Sequence, residues 1–367
     1  MKKVLIVVYS NYKKDNRVRK HKYFFEKAGY NVDIAGFEKD ISWNIKIKDK
    51  IFYLFNLIFN KEKALYNYFS QLEMLENKID IEKKYDVVLS NDWNTLYTGY
   101  KIAKKHKAKF IHDSHEFAIE QKPKFNIKWR IFVRPLIKYI EKKYIDFADL
   151  VVTVSNGIAG KINKLYKPKK IKVIKNCPLI KNKLPNKNNI KALPIKLYHH
   201  GGYSKIRGLE KIIKSIVQSS NENINIYLRL IGNYEHLLTK YEKSNKVFFK
   251  EPLDPDKIIY DIHNFDLGIP MIAPNSFNAR HALSNKFFEY LAGGIPVVVC
   301  KKNYEMAKIV KKYNIGYTIN EFNIDSMKNF WDNLNLITLN KKIKKLRNLK
   351  KSYKAKNEWK KLFKAVK

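Results

Sequence analysis

Short runs of apolar, mostly β-branched residues alternate along the chain with longer segments in which apolar residues recur every three or four positions. The short runs predict strands and the longer segments predict helices. Near-continuous apolar strands that alternate with helices are typical of a parallel sheet covered on both faces. In the first half of the chain the predicted strands are 4–9, 32–37, 86–90, 109–112, 150–155 and 171–174.

The same alternation restarts after a segment rich in proline, asparagine and lysine, with predicted strands at 195–199, 224–231, 246–249, 267–272, 295–300 and 316–319. The pattern predicts an α/β protein of two Rossmann-like, doubly wound domains with a cleft between them, where ligands bind at the carboxyl ends of the strands. We expect an N-terminal domain over 1–177, a linker over 178–194, a C-terminal domain over 195–340 and a basic helical segment over 341–367.

Composition narrows the class of protein. The 367 residues include 74 Lys and Arg against 34 Asp and Glu, a formal charge of +40, yet 45% of the residues are hydrophobic, which excludes wholesale disorder. Cys177 and Cys300 cannot form a disulfide framework, which favours a reducing compartment. No apolar run has the length of a spanning helix, and the first residues are interpreted as a strand. We therefore expect a cytoplasmic protein.

Part of the charge is concentrated in basic amphipathic stretches. Residues 341–367 hold thirteen Lys or Arg against Glu358 alone, and an apolar face there contains Trp359 and Phe363. Residues 48–69 and 128–144 also combine apolar stripes with Lys or Arg. Such faces either pack on their own domain or attract an anionic membrane surface. A peripheral position at the inner face of the membrane is therefore one expectation.

The segment HALSNKFFEYLAGGIPVVVC, residues 281–300, predicts a helix that Ser284 caps, two glycines that end it, and a buried strand. A helix N-terminus with Lys286 in its first turn suits an anion such as a diphosphate. Glu289, one turn further on, could accept hydrogen bonds from a vicinal diol such as a ribose. The alternative is that Lys286 and Glu289 form a solvated pair on a surface helix.

This segment resembles the donor-binding segment of family 4 glycosyltransferases, which are retaining enzymes with the GT-B fold. Further similar segments occur in the family's order: DNRVRKHKYFFEKAGYNV at 15–32, HDSHEF at 112–117, ADLVVTVSNGI at 148–158 and HHGGYSKIRGLEKII at 199–213. The resemblance implies that Glu289 holds the nucleotide ribose and that Asn285 and Lys286 belong to the donor site.

The turn at 199–213 places Gly201 and Gly202 after a strand and Arg207 before a helix. Glycines let a phosphate approach the backbone, and an arginine can neutralise it through two hydrogen bonds. The resemblance implies that Arg207 binds the donor diphosphate. Many family members carry an arginine where this chain has Tyr203, so we expect Lys286 or Lys205 to compensate.

The resemblance also implies that a histidine of HDSHEF lies near the reacting sugar; we expect His115 first and His112 second, and the alternative is a histidine satisfied by a backbone carbonyl. The two histidines and neighbouring carboxylates lack the spacing of a metal site. His281 stands where the family often has a glutamate. Further predicted sugar or acceptor contacts, each open to a purely structural interpretation, are Arg17, Asn16, Asn275 and His281.

The resemblance thus implies an enzyme that moves a sugar from a nucleotide diphosphate sugar to an acceptor hydroxyl with retention, and we expect it to act in bacterial-type assembly of cell-surface polysaccharides. We expect a glycan or lipid-linked acceptor, no cofactor and no metal ion. A sugar-nucleotide epimerase or hydrolase of the same fold is one alternative. A basic nucleic-acid-binding protein is another, although the charge is spread over both halves and no recognition motif appears, so no nucleic acid is expected.

Overall fold

The computed structural model describes residues 1–40, 47–123, 125–349 and 352–366, and the side chains from residue 50 onward in the helix that begins at Ile47. The chain divides into two compact units. Unit 1 comprises Met1–Lys175, Ser276–Asn278 and Trp359–Lys367, and unit 2 comprises Asn176–Asn275 and Ala279–Glu358. Each unit is built around one six-stranded sheet in which all strand pairs are parallel.

The sheet of unit 1 has the order β2-β1-β3-β4-β5-β6. Its strands are β1 (Lys3–Asn11), β2 (Asn31–Phe37), β3 (Val87–Asn91), β4 (Lys109–Ser114), β5 (Leu150–Thr153) and β6 (Ile171–Val173). Its helices are α1 (Asn16–Lys27), α2 (Ile47–Phe59), α3 (Lys61–Tyr68), α4 (Leu72–Glu76), α5 (Trp93–His106), α6 (Ile127–Phe132), α7 (Arg134–Tyr144) and α8 (Asn156–Tyr166). Apolar side chains of β1, β3 and β5 form its core with those of α5 and α7.

The sheet of unit 2 has the order β12-β11-β10-β7-β8-β9. Its strands are β7 (Ile195–Gly202), β8 (Ile224–Ile231), β9 (Val247–Phe249), β10 (Leu267–Gly268), β11 (Val297–Cys300) and β12 (Gly316–Ile319). The helices that follow are α9 (Leu209–Val217), α10 (Glu235–Tyr241), α11 (Pro255–Asp261), α12 (Phe277–His281), α13 (Asn285–Gly293), α14 (Tyr304–Tyr313), α15 (Ile324–Asp332), α16 (Leu336–Leu349) and α17 (Ala355–Val366).

These findings confirm the predicted fold class, with a strand at each of the twelve predicted places. Strand β10 is four residues shorter than predicted, and β5 and β11 are each two residues shorter. β10 ends at Gly268 and β11 starts at Val297, close to Pro270 and Pro296 respectively. A proline has no N–H to donate to a strand ladder, so regular pairing does not extend through these positions.

Residues 178–194 contain no helix or strand and belong to unit 2. Lys187 Nζ lies 2.9 Å from Asp266 Oδ1, and the Ile190 N–H donates to Asn340 Oδ1 at 2.8 Å. The segment predicted as a linker is therefore attached to unit 2 by side-chain hydrogen bonds.

The predicted basic segment 341–367 is shared between the units, because Trp359–Lys367 belongs to unit 1. The Trp359 ring is buried in unit 1 and stacks on Phe24 at a centroid distance of 5.1 Å. Leu362 is also buried, and Phe363 meets the edge of Phe25 at 5.4 Å. Of the two interpretations of this apolar face, the structure supports packing on its own domain. Lys350, Lys351 and Lys367 lie outside the described residues.

Candidate functional site

Strand order marks one place in each sheet where a ligand site is expected. The order reverses between β1 and β3 in unit 1 and between β7 and β10 in unit 2. In doubly wound sheets ligands bind outside the carboxyl ends of the strands at such a switch point. The predicted site residues follow this division. His112, His115, Asn16 and Arg17 lie in unit 1, and the predicted donor-binding residues lie in unit 2.

In unit 1 a buried carboxylate holds the switch-point residues together. Asp113, at the end of β4, receives two hydrogen bonds from the Arg17 guanidinium, Nε to Oδ2 at 2.8 Å and Nη2 to Oδ1 at 3.0 Å. His21 Nε2 lies 2.5 Å from the same Oδ2. Although burial alone would raise it, the pKa of Asp113 is held well below its usual range by Arg17, His115 and His21. Asp113 is therefore a carboxylate at every pH near neutral.

Arg17 is positioned by the start of α1. The Asp15 side chain caps this helix and accepts from the Arg17 N–H at 2.9 Å and from the Val18 N–H at 3.2 Å. The Arg17 side chain is only 4% exposed, and its Nη1 donates to the Ile174 carbonyl at 2.8 Å. Its guanidinium also lies over the Trp359 ring, 5.3 Å from the centroid. This placement gives no support to the predicted direct contact of Arg17 with a ligand.

His115 is the partly exposed member of this cluster, with 20% of its side chain accessible. Its Nδ1 lies 3.4 Å from Asp92 Oδ2, and its Nε2 lies 3.4 Å from Asp113 Oδ2. Burial lowers the pKa of His115, but the two carboxylates outweigh burial and raise it to about 9. At neutral pH the ring is therefore a cation that can donate hydrogen bonds and cannot accept a proton.

His112 and Asn16 are placed differently. His112 is fully buried, its Nδ1 lies 2.9 Å from Ser90 Oγ, and burial lowers its pKa to about 4. A neutral ring beneath the surface fits the structural interpretation better than a contact with substrate. Asn16 is the first residue of α1, is half-buried and accepts from Arg19 Nη1 at 3.4 Å.

Sequence reasoning missed Asp92. It directly follows β3 and has a φ of 62°, a left-handed conformation that a non-glycine residue rarely adopts. Its Oδ1 accepts from the His115 N–H at 3.2 Å, so the strained residue holds both the backbone and the ring of His115. The available signal in the sequence was its position directly after a buried strand. In the sheet, the preceding residue Asn91 pairs with Asp113.

In unit 2 the turn after β7 brings two cations together. Gly201 has a φ of 105°, and a Cβ placed there would lie 2.8 Å from Lys286 Cε and 3.3 Å from its Nζ. Lys286 therefore passes directly over Gly201. Burial and the nearby Arg207 lower the pKa of Lys286 to about 8, and Glu289 opposes them in part. The exposed Arg207 makes one long bond, from Nη1 to the Gly202 carbonyl at 3.4 Å.

The glycines leave one face of this turn accessible. A Cβ on Gly202 would meet no atom within 4 Å, so that face of the turn is free. Gly208 caps α9 with a φ of 76°, and a Cβ there would lie 2.6 Å from the Phe322 ring. The Ala273 N–H donates to the Arg207 carbonyl at 2.9 Å, and Asn275 Nδ2 donates to the Ile206 carbonyl at 2.8 Å. Asn275 thus supports the backbone beside Arg207.

Helix α13 carries the other predicted donor-binding residues. Ser284 caps it by accepting from the Phe287 N–H at 3.3 Å. Asn285 begins the helix, and its buried Oδ1 has no hydrogen-bond partner in the described part of the chain. Glu289 Oε2 lies 3.3 Å from His200 Nε2, and the Glu289 side chain is 15% exposed. The structure therefore brings Gly201, Lys286 and Glu289 to one place.

Sequence reasoning did not single out His199 and His200. Both are buried, and His199 Nδ1 lies 2.8 Å from the Ile269 carbonyl. Burial, with Lys286 nearby, lowers the pKa of His199 to about 3 and that of His200 well below its usual range. Both rings are neutral and so add no charge beside the two cations. The available signal in the sequence was their position directly before Gly201 and Gly202.

Three polar side chains, those of Tyr203, Asn278 and His281, have partners of their own. Tyr203 Oη donates to Glu210 Oε1 at 2.6 Å. Asn278 belongs to unit 1, where its Oδ1 accepts from the Phe117 N–H at 2.9 Å. The His281 ring packs 5.3 Å from Tyr304, and its Nδ1 lies 3.9 Å from Glu305 Oε1. The distances around His281 do not link it to the turn at Gly201.

The residues that the structure describes contain no group of three or more His, Cys, Asp or Glu side chains placed to hold a metal ion. None of their helices combines the length and the apolar character that crossing a membrane requires.

The chain is similar to known proteins in part of its sequence and in its fold. Residues 23–177 match the profile of Glycosyltransferase Family 4. No curated protein matches the chain significantly. Among solved structures, sucrose-phosphate synthase from Thermosynechococcus elongatus is similar, with a TM-score of 0.68, 14% identity and coverage of 100% of both chains.

Two further solved structures are similar over nearly their whole length. HepE from Anabaena, in complex with UDP and glucose, has a TM-score of 0.66 and 12% identity and covers 100% of this chain and 99% of its own. A glycosyltransferase from Rickettsia africae has a TM-score of 0.66 and 17% identity, with coverage of 100% and 97%. At such identities the likeness shows the fold, which is that of the GT-B glycosyltransferases.

Proposed function

We propose that this chain, whose residues 23–177 match the profile of Glycosyltransferase Family 4, transfers a sugar from a nucleotide diphosphate sugar to an acceptor hydroxyl with retention. The observation that carries this proposal is the turn at Gly201, where Lys286 and Arg207 lie beside a free backbone face. A diphosphate is the ligand whose charge matches two adjacent cations. The UDP and glucose bound to the Anabaena protein are consistent with it.

The geometry suggests how charge is handled in the reaction. As the bond between the anomeric carbon and the phosphate oxygen breaks, its electron pair leaves with the diphosphate. Lys286, Arg207 and the N-terminus of α13 stabilise that negative charge. We propose that these groups supply the positive charge in place of a metal ion or other cofactor. Glu289 accepts hydrogen bonds from the ribose hydroxyls.

His115 has a distinct role in this proposal. Its raised pKa makes it a hydrogen-bond donor rather than a base. We propose that it orients a sugar hydroxyl, while Asp92 and Asp113 fix its ring. Asp113 is in turn fixed by Arg17, which acts as a positioning residue. Asn16, Asn275 and His281 remain predicted contacts of the sugar or acceptor.

We further propose that the acceptor is a glycan or a lipid-linked glycan in cell-surface polysaccharide assembly. The protein would then work in the cytoplasm, at the inner face of an anionic membrane. The high positive charge supports this location, since anionic headgroups attract Lys and Arg. A transferred product that contains the added acceptor would distinguish this activity from that of an epimerase or hydrolase.

Donor binding is the first test. Thermal shift with UDP-, GDP-, ADP- and CMP-sugars should identify one that stabilises the protein, because a ligand at 100 times its Kd adds about 2.7 kcal/mol. Glu289→Ala should weaken the binding of that ligand by roughly 1.5–3 kcal/mol, which is the contribution of hydrogen bonds to a charged group. Glu251→Ala, which removes an exposed carboxylate of the same unit, is the matched control. Unchanged donor affinity in folded Glu289→Ala would contradict the ribose role.

A further inference from the structure

Helix α2 presents an apolar face to solvent. Six of its large apolar side chains are between 44% and 71% exposed: Ile51, Phe52, Leu54, Phe55, Ile58 and Phe59. The Phe55 and Phe59 rings contact each other, with centroids 4.7 Å apart. The opposite side of the helix is anchored, since Tyr53 is buried and Asn56 Nδ2 donates to Asn67 Oδ1 at 2.8 Å. The exposed face is therefore held in a fixed orientation.

Helix α6 and the residues before it extend this face. Tyr53 Oη of α2 donates a hydrogen bond to the Phe132 carbonyl of α6, so the two helices are neighbours in unit 1. The exposed apolar residues here are Phe125, Ile127, Ile131 and Phe132, each 41–69% accessible. We call these ten apolar side chains of 51–59 and 125–132 the α2–α6 face. Exposed apolar clusters of this size mark interaction sites on proteins.

The surroundings of the α2–α6 face are positively charged. Residues 121–140 contain six Lys or Arg and no Asp or Glu. Lys128 and Arg130 are exposed between the apolar residues of α6, and Lys50 and Lys63 are exposed near the two ends of α2. An apolar strip bordered by cations complements a layer of anionic headgroups above hydrocarbon.

The C-terminal stretch and the part of the second stretch that forms α7 do not offer such a face. In α7 the residues Leu136, Ile140 and Tyr144 are buried in the core of unit 1. In α17 Trp359 and Leu362 are buried in the same way. Helices α2 and α6 therefore expose most of their large apolar side chains, whereas α7 and α17 bury these.

We propose that the α2–α6 face docks on an anionic lipid surface, with α2 lying in the plane of the interface and its phenyl and aliphatic groups below the headgroups. This deepens the proposed function by naming the surface that would bring a lipid-linked acceptor within reach. A helix of thirteen residues is about 20 Å long, so it lies along the interface and does not cross it.

A second copy of the chain is a poorer occupant. Self-pairing through the α2–α6 face would bring the basic residues around it against their own copies, and like charges brought together oppose association. An anionic membrane has the opposite sign and no such penalty.

The test uses the full-length protein in flotation with vesicles of phosphatidylcholine, with and without phosphatidylglycerol, at low and high salt. Phe55→Gln with Ile58→Gln changes α2, and Ile127→Gln with Ile131→Gln changes α6. The matched control, Ile231→Gln with Ile337→Gln, makes the same chemical change at exposed positions of unit 2. Lys360→Gln with Lys364→Gln tests the C-terminal helix, whose two lysines are exposed.

We expect the unmodified protein and the unit 2 control to bind anionic vesicles at low salt and to leave them at high salt. Each pair of changes in the α2–α6 face should lower the partition coefficient by at least about tenfold, equivalent to about 1.4 kcal/mol. Equal binding by all variants, or a loss confined to the C-terminal pair, would overturn the proposal. So would a dimer that becomes monomeric when the face is changed, since a second copy would then cover it.

Nucleotide-sugar binding is measured on the same variants without vesicles, by thermal shift. If no nucleotide sugar stabilises any of them while vesicle binding follows the expected pattern, the proposed function fails and the docking surface stands. If donors bind and vesicles do not, the docking surface fails and the proposed function stands.

Discussion

Lys286 offers a quantitative test of the proposed donor site, because its charge should change within a pH range that binding experiments can cover. Burial and Arg207 lower its pKa to about 8. Arg207 keeps its charge at all accessible pH values. The terminal phosphate of a nucleoside diphosphate ionises near pH 6, so its charge is complete above pH 7. Between neutral and alkaline pH, Lys286 is thus the cation of this pair that changes.

The sign and size of the effect follow from that pKa. In the free protein about nine-tenths of Lys286 is protonated one unit below the pKa, and about one-tenth one unit above it. A bound anion favours the protonated form and raises its pKa, so binding takes up a proton when pH exceeds about 8. The Kd for a nucleoside diphosphate should therefore rise about tenfold between pH 7 and pH 9.

The assay is calorimetric titration of the nucleoside diphosphate that the thermal-shift panel selects, in buffers of different ionisation enthalpy. Lys286→Gln should bind weakly at pH 7 and lose the pH dependence. Arg207→Gln should bind weakly and keep a pH dependence that is shifted to higher pH, because Arg207 no longer lowers the pKa of Lys286. Proton uptake above pH 8 should disappear only in the Lys286 variant. An affinity that is flat from pH 7 to pH 9, or a slope that survives in Lys286→Gln, would refute the assignment of the diphosphate to this lysine.

Three further predictions concern single side chains. Asp113→Asn leaves the Arg17 charge buried without its partner and should cost about 3–5 kcal/mol in urea unfolding. Glu141 is buried, and burial is the main reason why its pKa is raised to about 8. Its contribution to stability is therefore present below pH 4.5 and is lost as pH rises through about 8. Glu141→Gln should remove that loss in melting curves. Gly201→Ala should weaken nucleotide binding in the same titration, because the added Cβ would lie 2.8 Å from Lys286 Cε and displace that lysine.

The fold could be predicted because its signal is local. Each buried strand is a short apolar run in the sequence, and each helix shows its own periodicity, so the alternation is visible without knowing any contact. What could not be predicted were the places where distant segments meet. Phe277 comes from the second half of the sequence, but its ring packs against that of Phe117 in unit 1, with centroids 5.5 Å apart. Trp359 returns from the C-terminus to Phe24. Nothing local in the sequence indicates either partner.

The candidate site likewise combines features that have a local signal in the sequence with features that depend on distant residues. The glycine turn and the capped helix at 284–289 were predictable because cap residues and glycines have local backbone causes. The burial of Arg17 was not, because its partner Asp113 lies 96 positions away. Asp92 was missed because a left-handed aspartate after a strand has no composition signal. Interpreting His115 as a cation required both carboxylates, which only the folded sheet brings together.

The two clusters differ in how their charges are compensated, and this difference assigns their roles. In unit 1 the Arg17 guanidinium is satisfied by Asp113, and the His115 cation lies between two carboxylates, so an added phosphate would meet fixed negative charge. In unit 2 the Arg207 cation lowers the pKa of Lys286, and the two nearby histidines at the end of β7 are neutral. A diphosphate relieves that repulsion in unit 2 and creates repulsion in unit 1. We therefore propose that the diphosphate binds in unit 2 and that the uncharged hydroxyl groups of the sugar or acceptor bind beside His115.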